Sequence, residues 1–126
     1  MKNALIVEDN LILSILYENY LNKMIFKTVG QIKQAERAVE LVKRYKPDVV
    51  IMDINLEGDM DGIEAAKEIR KFSDVPVLFI TGSSDPYNMN RAEQVPNSDY
   101  LFKPISEPLL KKAVKQLTGE PLVKAS

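Results

Sequence analysis

Short apolar runs alternate with segments of helical periodicity along the whole chain. The apolar runs are each the length of a buried strand and lie at residues 4–7, 26–32, 49–54, 77–80 and 100–102. Between and after them, apolar residues recur three or four positions apart over 13–24, 35–45, 63–72, 85–95 and 110–117. The first of these stripes consists of Leu13, Leu16, Tyr20, Leu21 and Met24. This alternation predicts five β-α units and a parallel sheet with right-handed crossovers.

Polar residues and prolines mark where several helices begin and end. Asn10 and Ser106 each precede a helical stripe and are predicted N-caps, with Pro108 tolerated in the first turn. The second helix should end before Pro47, because the residue ahead of proline avoids the helical conformation. Residues 85–95 contain few apolar positions, so the sequence predicts only a short helix there.

The predicted fold class is α/β, a doubly wound (βα)5 sandwich with helices on both faces of the sheet. For five parallel strands the common order is 2-1-3-4-5, which makes the first and third strands neighbours at the switch point. Asp9 and Asp53 follow or close these two strands. Ligands bind at the carboxyl edge of such sheets, so we expect the two side chains to face each other across the binding crevice.

Five polar residues come at the ends of four of the predicted strands: Glu8, Asp9, Asp53, Thr81 and Lys103. Each one alone has a structural explanation, such as a helix cap, a strand end or a surface charge. Three carboxylates crowded at one edge repel each other, however, and a divalent cation removes that repulsion. Magnesium prefers one or two carboxylates together with water and phosphate oxygens. The sequence therefore predicts Asp9 and Asp53 as direct ligands, with Glu8 acting through water.

Two more of these residues suit a phosphoryl group at the same place. The ammonium of Lys103 can serve as a mobile counter-ion to Asp53 or to a phosphoryl oxygen. The hydroxyl of Thr81 can donate a hydrogen bond to a phosphoryl oxygen. A hard cation and a phosphoryl group are thus the ligands that this set predicts.

The composition excludes several other kinds of chemistry. The chain has 126 residues, enough for one domain, and a net charge of -1, which gives no footprint for nucleic acid. It contains neither cysteine nor histidine, which excludes disulfides, thiolate metal sites and a histidine base. The first apolar run is too short for a signal peptide, and no run approaches the roughly 20 residues needed to cross a bilayer. We therefore expect a cytoplasmic protein that contacts neither membrane nor nucleic acid directly.

Four stretches carry a resemblance to a known family: Leu-Ile-Val-Glu-Asp at 5–9, Val-Ile-Met-Asp-Ile at 50–54, Ile-Thr-Gly at 80–82 and Asp-Tyr-Leu-Phe-Lys-Pro at 99–104. In this order, each at the end of its own strand, they resemble the receiver domain of two-component response regulators, the CheY-like family. The resemblance implies the flavodoxin-like form of the fold predicted above. It covers residues 3–118, so we expect a receiver domain over 1–118 and a short tail over 119–126 without an output domain.

The resemblance also implies the roles of the site residues. Asp53 would accept a phosphoryl group from phosphohistidine on a sensor histidine kinase or a histidine phosphotransfer protein. Asp9, Asp53 and the backbone carbonyl of Asn55 would hold Mg²⁺, and Lys103 would pair with the phosphoryl group. Asn55 and Ser83 occupy positions that tune loss of the phosphoryl group.

Phosphorylation in this family changes a surface formed by the fourth helix, the fifth strand and the fifth helix. Thr81 would move toward the phosphoryl group while Tyr100 turns inward, although Tyr100 is equally well explained as a half-buried strand residue. The Lys103–Pro104 bond is cis in the family. The resemblance thus predicts a single-domain signalling switch, not an enzyme, that docks on or relays phosphate to a downstream protein, with a phosphorylation-dependent homodimer also open.

Three alternatives to a phosphorylated signalling switch remain open. A receiver-like module could dock without being phosphorylated. A magnesium-dependent phosphatase with an aspartate nucleophile would need a general acid two residues after Asp53, where Asn55 cannot donate a proton. A flavodoxin-like cofactor binder would bring flavin phosphate against Glu8 and Asp9, which repel it.

Overall fold

The computed structural model of the chain describes residues 2–82 and 84–119. These residues form five strands that alternate with five helices. The elements are β1 Lys2–Val7, α1 Leu11–Asn22, β2 Phe26–Ile32, α2 Ala35–Tyr45, β3 Val49–Asp53, α3 Gly62–Arg70, β4 Val77–Thr81, α4 Pro86–Glu93, β5 Ser98–Phe102 and α5 Glu107–Thr118. Ser83 and residues 120–126, which include most of the predicted tail, lie outside the described residues. Each predicted strand and helix has a counterpart among these elements.

The five strands form one parallel sheet in the order β2-β1-β3-β4-β5. The central register pairs Val7 of β1 with Met52 of β3, and Asp53 with Ile80 of β4. Thr81 in turn pairs with Phe102 at the end of β5. The fold class and the strand order predicted from the sequence are confirmed, and the carboxyl ends of β1, β3, β4 and β5 lie along one edge.

Apolar side chains cover both faces of the sheet. On one face, α2, α3 and α4 pack against residues that include Leu5, Met52 and Phe79. On the other face, α1 and α5 pack against residues that include Ile6 and Ile51. Every residue of β3 and β4 is buried, which accounts for their uninterrupted apolar sequences. This double-sided core fixes the strand ends that carry the polar residues.

The helix ends follow the predicted caps in two cases. Asn10 accepts a hydrogen bond from Leu13 N at the start of α1, and Ser106 accepts one from Leu109 N at the start of α5. Helix α2 ends at Tyr45, and Lys46 adopts the left-handed conformation just ahead of the buried Pro47. The short helix predicted within 85–95 is α4.

Two apolar stripes differ from their prediction. The fully buried residues of α1 are Ser14, Tyr17 and Leu21, of which the predicted stripe included Leu21 alone. Other residues of that stripe are half-buried and pack against the same core: Leu13, Tyr20 and Met24. Helix α3 ends at Arg70, so Phe72 lies beyond it and is 42% exposed. In both places, packing against the sheet determines which residues are buried, because helical spacing alone fits several sets of apolar residues equally well.

Among the described residues, no helix combines the length and the apolar character that crossing a membrane requires.

Candidate functional site

The carboxyl edge of the sheet brings the predicted polar residues to one place. Glu8 directly follows β1, Asp53 closes β3, Thr81 closes β4 and Lys103 directly follows β5. Backbone hydrogen bonds continue the sheet through this edge: Glu8 N donates to the Ile32 carbonyl at 2.9 Å, and Lys103 N donates to the Thr81 carbonyl at 2.8 Å. Strand pairing therefore fixes the backbone positions of these four residues.

Three carboxylates gather at this edge. One oxygen from each of Glu8, Asp9 and Asp53 lies within 4.8 Å of the others, a spacing at which one metal ion can be held. Glu8 and Asp53 are buried, whereas Asp9 is exposed. Buried like charges at this spacing repel, and a hard divalent cation with oxygen ligands compensates for them. The cluster therefore fits Mg²⁺ by its oxygen donors, its negative charge and its access to solvent through Asp9.

Lys103 supplies the positive charge of the site. Its Nζ lies 3.3 Å from Asp53 Oδ2 and 3.1 Å from Glu8 Oε1. Burial alone would lower the pKa of Lys103, but the charges and hydrogen bonds of Asp53 and Glu8 outweigh it and raise that pKa. The ammonium therefore stays protonated, and it faces the same oxygen atoms that a cation would approach.

Burial makes ionisation of the Glu8 carboxyl unfavourable. Burial, aided by the negative charge of Asp53, raises the pKa of Glu8 to about 7, although a hydrogen bond from Asn10 N and the pairing with Lys103 oppose the shift. Its buried Oε1 lies 3.1 Å from Lys103 Nζ, and no other donor among the described residues reaches it. Such an oxygen is available to a cation or to cation-bound water.

Tyr17 of α1 lies near this acidic cluster, and the sequence analysis did not identify it as part of the site. Its side chain is 1% exposed. Burial and the negative charges of Glu8 and Asp53 raise the pKa of its hydroxyl. A buried tyrosine of α1 is therefore close enough to the cluster to sense its charge.

The loop after β3 is held close to Asp53. Asn55 N donates to Asp53 Oδ1 at 3.1 Å, and Gly62 N donates to the Ile54 carbonyl at 3.0 Å. A Cβ atom at Gly62 would overlap the Asp53 carbonyl oxygen and lie 2.9 Å from Met52 Cγ. Glycine is therefore required where α3 begins, and the loop returns to the strand that carries Asp53.

The two predicted switch residues lie on adjacent strands. Thr81 is 1% exposed at the end of β4. Tyr100 is half-buried on β5, its ring contacts Phe102 edge-on with centroids 5.9 Å apart, and its hydroxyl donates to Glu93 Oε2 of α4 at 2.9 Å. That hydrogen bond raises the pKa of Tyr100. Tyr100 thus joins β5 to α4, a contact that the sequence analysis did not include.

Two further sequence expectations concern the edge of the site. The Lys103–Pro104 peptide bond is cis, the isomer that the resemblance implies. Ser83, expected to tune loss of the phosphoryl group, lies outside the described residues. The side chain of Asn55, expected to share that role, is exposed beside Asp53.

The family model of the response regulator receiver domain matches residues 4–115. This chain belongs to that family. Receiver domains are signalling switches of two-component systems that bind Mg²⁺ in their acidic pocket and interact with histidine kinases and downstream effectors. The acidic cluster of this receiver lies at the carboxyl edge of its sheet.

Curated relatives of this receiver include longer regulators. The transcriptional regulatory protein YvrH of Bacillus subtilis is 32% identical over 108 residues, which cover 84% of this chain and 45% of YvrH. The transcriptional regulatory protein PdtaR of Mycobacterium tuberculosis is 33% identical over 105 residues, which cover 83% of this chain and 51% of PdtaR. This receiver therefore spans about half the length of these relatives.

Solved structures agree with the fold of this receiver. The signal receiver domain of a modulated diguanylate cyclase from Desulfovibrio desulfuricans G20 superimposes with a TM-score of 0.86 at 29% identity, covering 94% of both chains. The receiver domain of the sensor histidine kinase PA1611 from Pseudomonas aeruginosa has a TM-score of 0.83 at 25% identity, covering 94% of this chain and 98% of that one. That neighbour contains a magnesium ion coordinated in its active-site cleft.

Proposed function

We propose that Asp53 accepts a phosphoryl group from phosphohistidine and that this receiver is the phosphorylated switch of a two-component relay. The observation that carries the proposal is the setting of Asp53 at the carboxyl end of the central strand β3. Its carboxylate is buried, lies 3.3 Å from Lys103 Nζ and shares its surroundings with Glu8 and Asp9. Asp53 is the carboxylate of the cluster that closes the fully buried strand β3, whereas Glu8 and Asp9 follow β1.

The proposed reaction is a transfer between a nitrogen and a carboxylate oxygen. An oxygen of Asp53 attacks phosphorus, the bond between phosphorus and the imidazole nitrogen breaks, and the imidazole leaves with a proton from water. An acyl phosphate on Asp53 results. Lys103 is close enough to pair first with the carboxylate of Asp53 and then with the new phosphoryl oxygens. The hydroxyl of Thr81, at the same edge, would donate to one of those oxygens.

The site would need a divalent cation for this chemistry. Asp9, Asp53 and the backbone carbonyl of Asn55 would hold Mg²⁺, with Glu8 acting through water. When bound, Mg²⁺ neutralises the negative charge that collects during phosphoryl transfer. Glu8, whose buried carboxyl resists ionisation in the metal-free protein, would ionise more readily beside the cation.

Phosphorylation would then change the α4-β5-α5 surface. The new group carries nearly two negative charges at neutral pH, next to Thr81 and Lys103. If Thr81 moves toward it, the space beside Tyr100 changes, and the hydrogen bond from Tyr100 to Glu93 is the contact of α4 most directly affected. A downstream protein, or a second phosphorylated copy of the receiver, would recognise the altered surface.

An exposed apolar patch beside the site suits the phosphodonor. Leu11, Ile12 and Ile15 at the start of α1 are 62%, 77% and 46% exposed, and α1 begins two residues after Asp9. A sensor histidine kinase or a histidine phosphotransfer protein must bring its phosphohistidine to Asp53, so an apolar contact surface at this edge places both reacting groups together. We propose that the exchange takes place in the cytoplasm.

The test is the intact mass of the protein after incubation with Mg²⁺ and a small acyl phosphate donor. We expect one phosphoryl adduct in the wild type, and none after chelation of the metal or in Asp53→Asn. Asp59→Asn, which removes an exposed carboxylate from the same loop, is the matched control and should still form the adduct. An adduct on Asp53→Asn would refute the proposal. A folded wild type without any adduct would favour docking without phosphorylation.

A further inference from the structure

Arg91 of α4 makes a paired contact with the loop that follows Asp53. Its Nη1 donates to Asp61 Oδ2 at 2.9 Å and its Nη2 donates to Asp61 Oδ1 at 3.2 Å, the two-pronged geometry of a strong arginine–carboxylate pair. Nη1 also donates to Asn88 Oδ1 at 2.9 Å. The side chains of Arg91 and Asp61 are 18% and 28% exposed, so solvent screens this pair less than an open surface pair.

Asp61 determines where that loop ends. It is the N-cap of α3, and it forms a capping box in which Asp61 Oδ1 accepts from Glu64 N at 2.8 Å while Asp61 N donates to Glu64 Oε1 at 2.9 Å. The loop between Asp53 and α3 has no helix or strand of its own and contains Asn55, whose carbonyl is a proposed cation ligand. Asp61 therefore fixes the far end of the segment that would bind the cation.

The other end of the contact lies on a weakly packed helix. Among the residues of α4, all of which the structure describes, Ala92 alone is buried. The two residues beside it hold the helix through polar contacts, Arg91 to Asp61 and Glu93 to Tyr100. A change in either contact therefore acts on a helix that has little apolar packing to resist it.

We propose that Arg91 is a positioning residue that couples the cation-binding loop to α4 through Asp61. Holding Asp61 lowers the conformational entropy that the loop loses when it closes on a cation, so the pair increases affinity for Mg²⁺. Because coupling is reciprocal, a cation at Asp9 and Asp53 stabilises the position of α4 that pairs Arg91 with Asp61. This inference rests on the proposed function for the identity of the cation site.

The experiment is a Mg²⁺ titration of the full chain followed by amide chemical shifts, which give the dissociation constant and the response of α4 together. Arg91→Met should raise the dissociation constant for Mg²⁺ by about threefold to tenfold and abolish the shift changes over 86–93. Asp61→Asn should do the same, since asparagine keeps the N-cap of α3. The double variant should be no weaker than either single variant, because both remove one contact.

Arg37→Met is the matched control. Arg37 is an arginine of α2 whose 3.9 Å pair with Glu40 is exposed, so the substitution removes the same charge without touching the loop. A merely structural role of Arg91 would lower the free energy of unfolding in urea but leave the Mg²⁺ affinity of the folded protein unchanged.

Three results would overturn the coupling: unchanged Mg²⁺ affinity in both Arg91→Met and Asp61→Asn, an equal loss of affinity in Arg37→Met, or a double variant with additive losses. Failure of the proposed function is distinguishable from these results. The wild type would then bind no Mg²⁺ at Asp9 and Asp53, or would bind it without forming an acyl phosphate.

Discussion

Helices α3 and α4 flank the same strand, β4, in sequence, yet they are attached to the sheet in different ways. Helix α3 buries more than half of its residues, namely Gly62, Ile63, Ala65, Ala66 and Ile69. In α4, all of which the structure describes, only Ala92 is buried, and polar contacts of Arg91 and Glu93 supply much of the attachment. The first helix is held by apolar packing and the second mainly by hydrogen bonds and an ion pair.

This difference matches what each region has to do in a receiver. The residues around Asp53 must keep their positions within a few tenths of an ångström, and apolar packing against a buried strand provides that rigidity. A region that moves belongs to the low-stability part of a fold, where few apolar contacts must be broken. We infer that α3 and β3 form the fixed frame of the site and that α4 is the part that responds.

The largest difference in the free energy of unfolding should appear when one apolar side chain is removed from each helix. Ile69→Ala deletes a fully buried side chain of α3 and should lower the free energy of unfolding by about 2–5 kcal/mol. Met89→Ala removes a half-buried side chain of α4 and should cost about 1 kcal/mol or less. Urea denaturation of the two variants measures both values. Equal losses would show that α4 is packed as firmly as α3 and would remove the contrast.

A smaller effect on the free energy of unfolding should come from the buried carboxyl of Glu8. Burial raises the pKa of Glu8 from 4.5 to about 7 in the folded protein. Between these values the folded protein binds more protons than the unfolded chain, so the free energy of unfolding falls as the pH rises from about 4.5 to about 7. Glu8→Gln abolishes this titration. As the pH rises from about 5 to about 8, the free energy of unfolding should therefore fall by about 1–2 kcal/mol less in Glu8→Gln than in the wild type.

The measurement is urea unfolding at a series of pH values in buffer that contains a chelator, so that no divalent cation offsets the charge. Glu57→Gln, which removes an exposed carboxyl from the loop near the site, serves as the control. If Glu8→Gln and the wild type lost stability in parallel, Glu8 would not carry the proton that we assign to it.

The smallest effect on stability should come from the contact between Tyr100 and Glu93. Tyr100→Phe keeps the ring and removes the hydroxyl, so the free energy of unfolding should fall only slightly, because the lost hydrogen bond is exposed to solvent. Amide hydrogen exchange should accelerate in α4 and stay unchanged in α3. Tyr45→Phe, at a tyrosine of α2 that is 45% exposed, is the control. Unchanged exchange in α4 would mean that this hydrogen bond does not hold the helix.

Much of the site could be predicted because its residues lie at the ends of apolar strands. A run such as that of β3 is buried on both faces, so the next polar residue, Asp53, has to emerge at the edge of the sheet. The same argument identifies Glu8, Thr81 and Lys103. The N-caps Asn10 and Ser106 were predictable because their hydrogen bonds are local.

The buried face of α1 could not be predicted from spacing alone. Its first turns contain apolar residues on nearly every side, Leu11, Ile12, Leu13, Ile15 and Leu16, so more than one stripe satisfies helical periodicity. The sheet selects Ser14 and Tyr17 for burial and leaves Ile12 exposed. The predicted stripe therefore includes residues that are half-buried, and it omits Tyr17, a buried tyrosine near the site.

The contact between Arg91 of α4 and Asp61 could not be predicted because the two charged residues are distant in sequence. Arg91 and Asp61 are 30 residues apart, and each has other possible partners of opposite charge. One local signal was present, since Asp61 and Glu64 have the spacing of a capping box. That pattern identifies the start of α3 but does not indicate that an arginine from another helix pairs with the same aspartate.

We propose that Asp53, and no other carboxylate of this crowded edge, carries the phosphoryl group. The most direct test treats the phosphorylated protein with borohydride, which reduces an acyl phosphate to an alcohol with release of phosphate, and then maps the modified residue by peptide mass spectrometry. We predict homoserine at position 53 alone, dependent on Mg²⁺ during phosphorylation. Reduction at Asp9, Glu57 or Asp59 with an intact Asp53 would contradict the account.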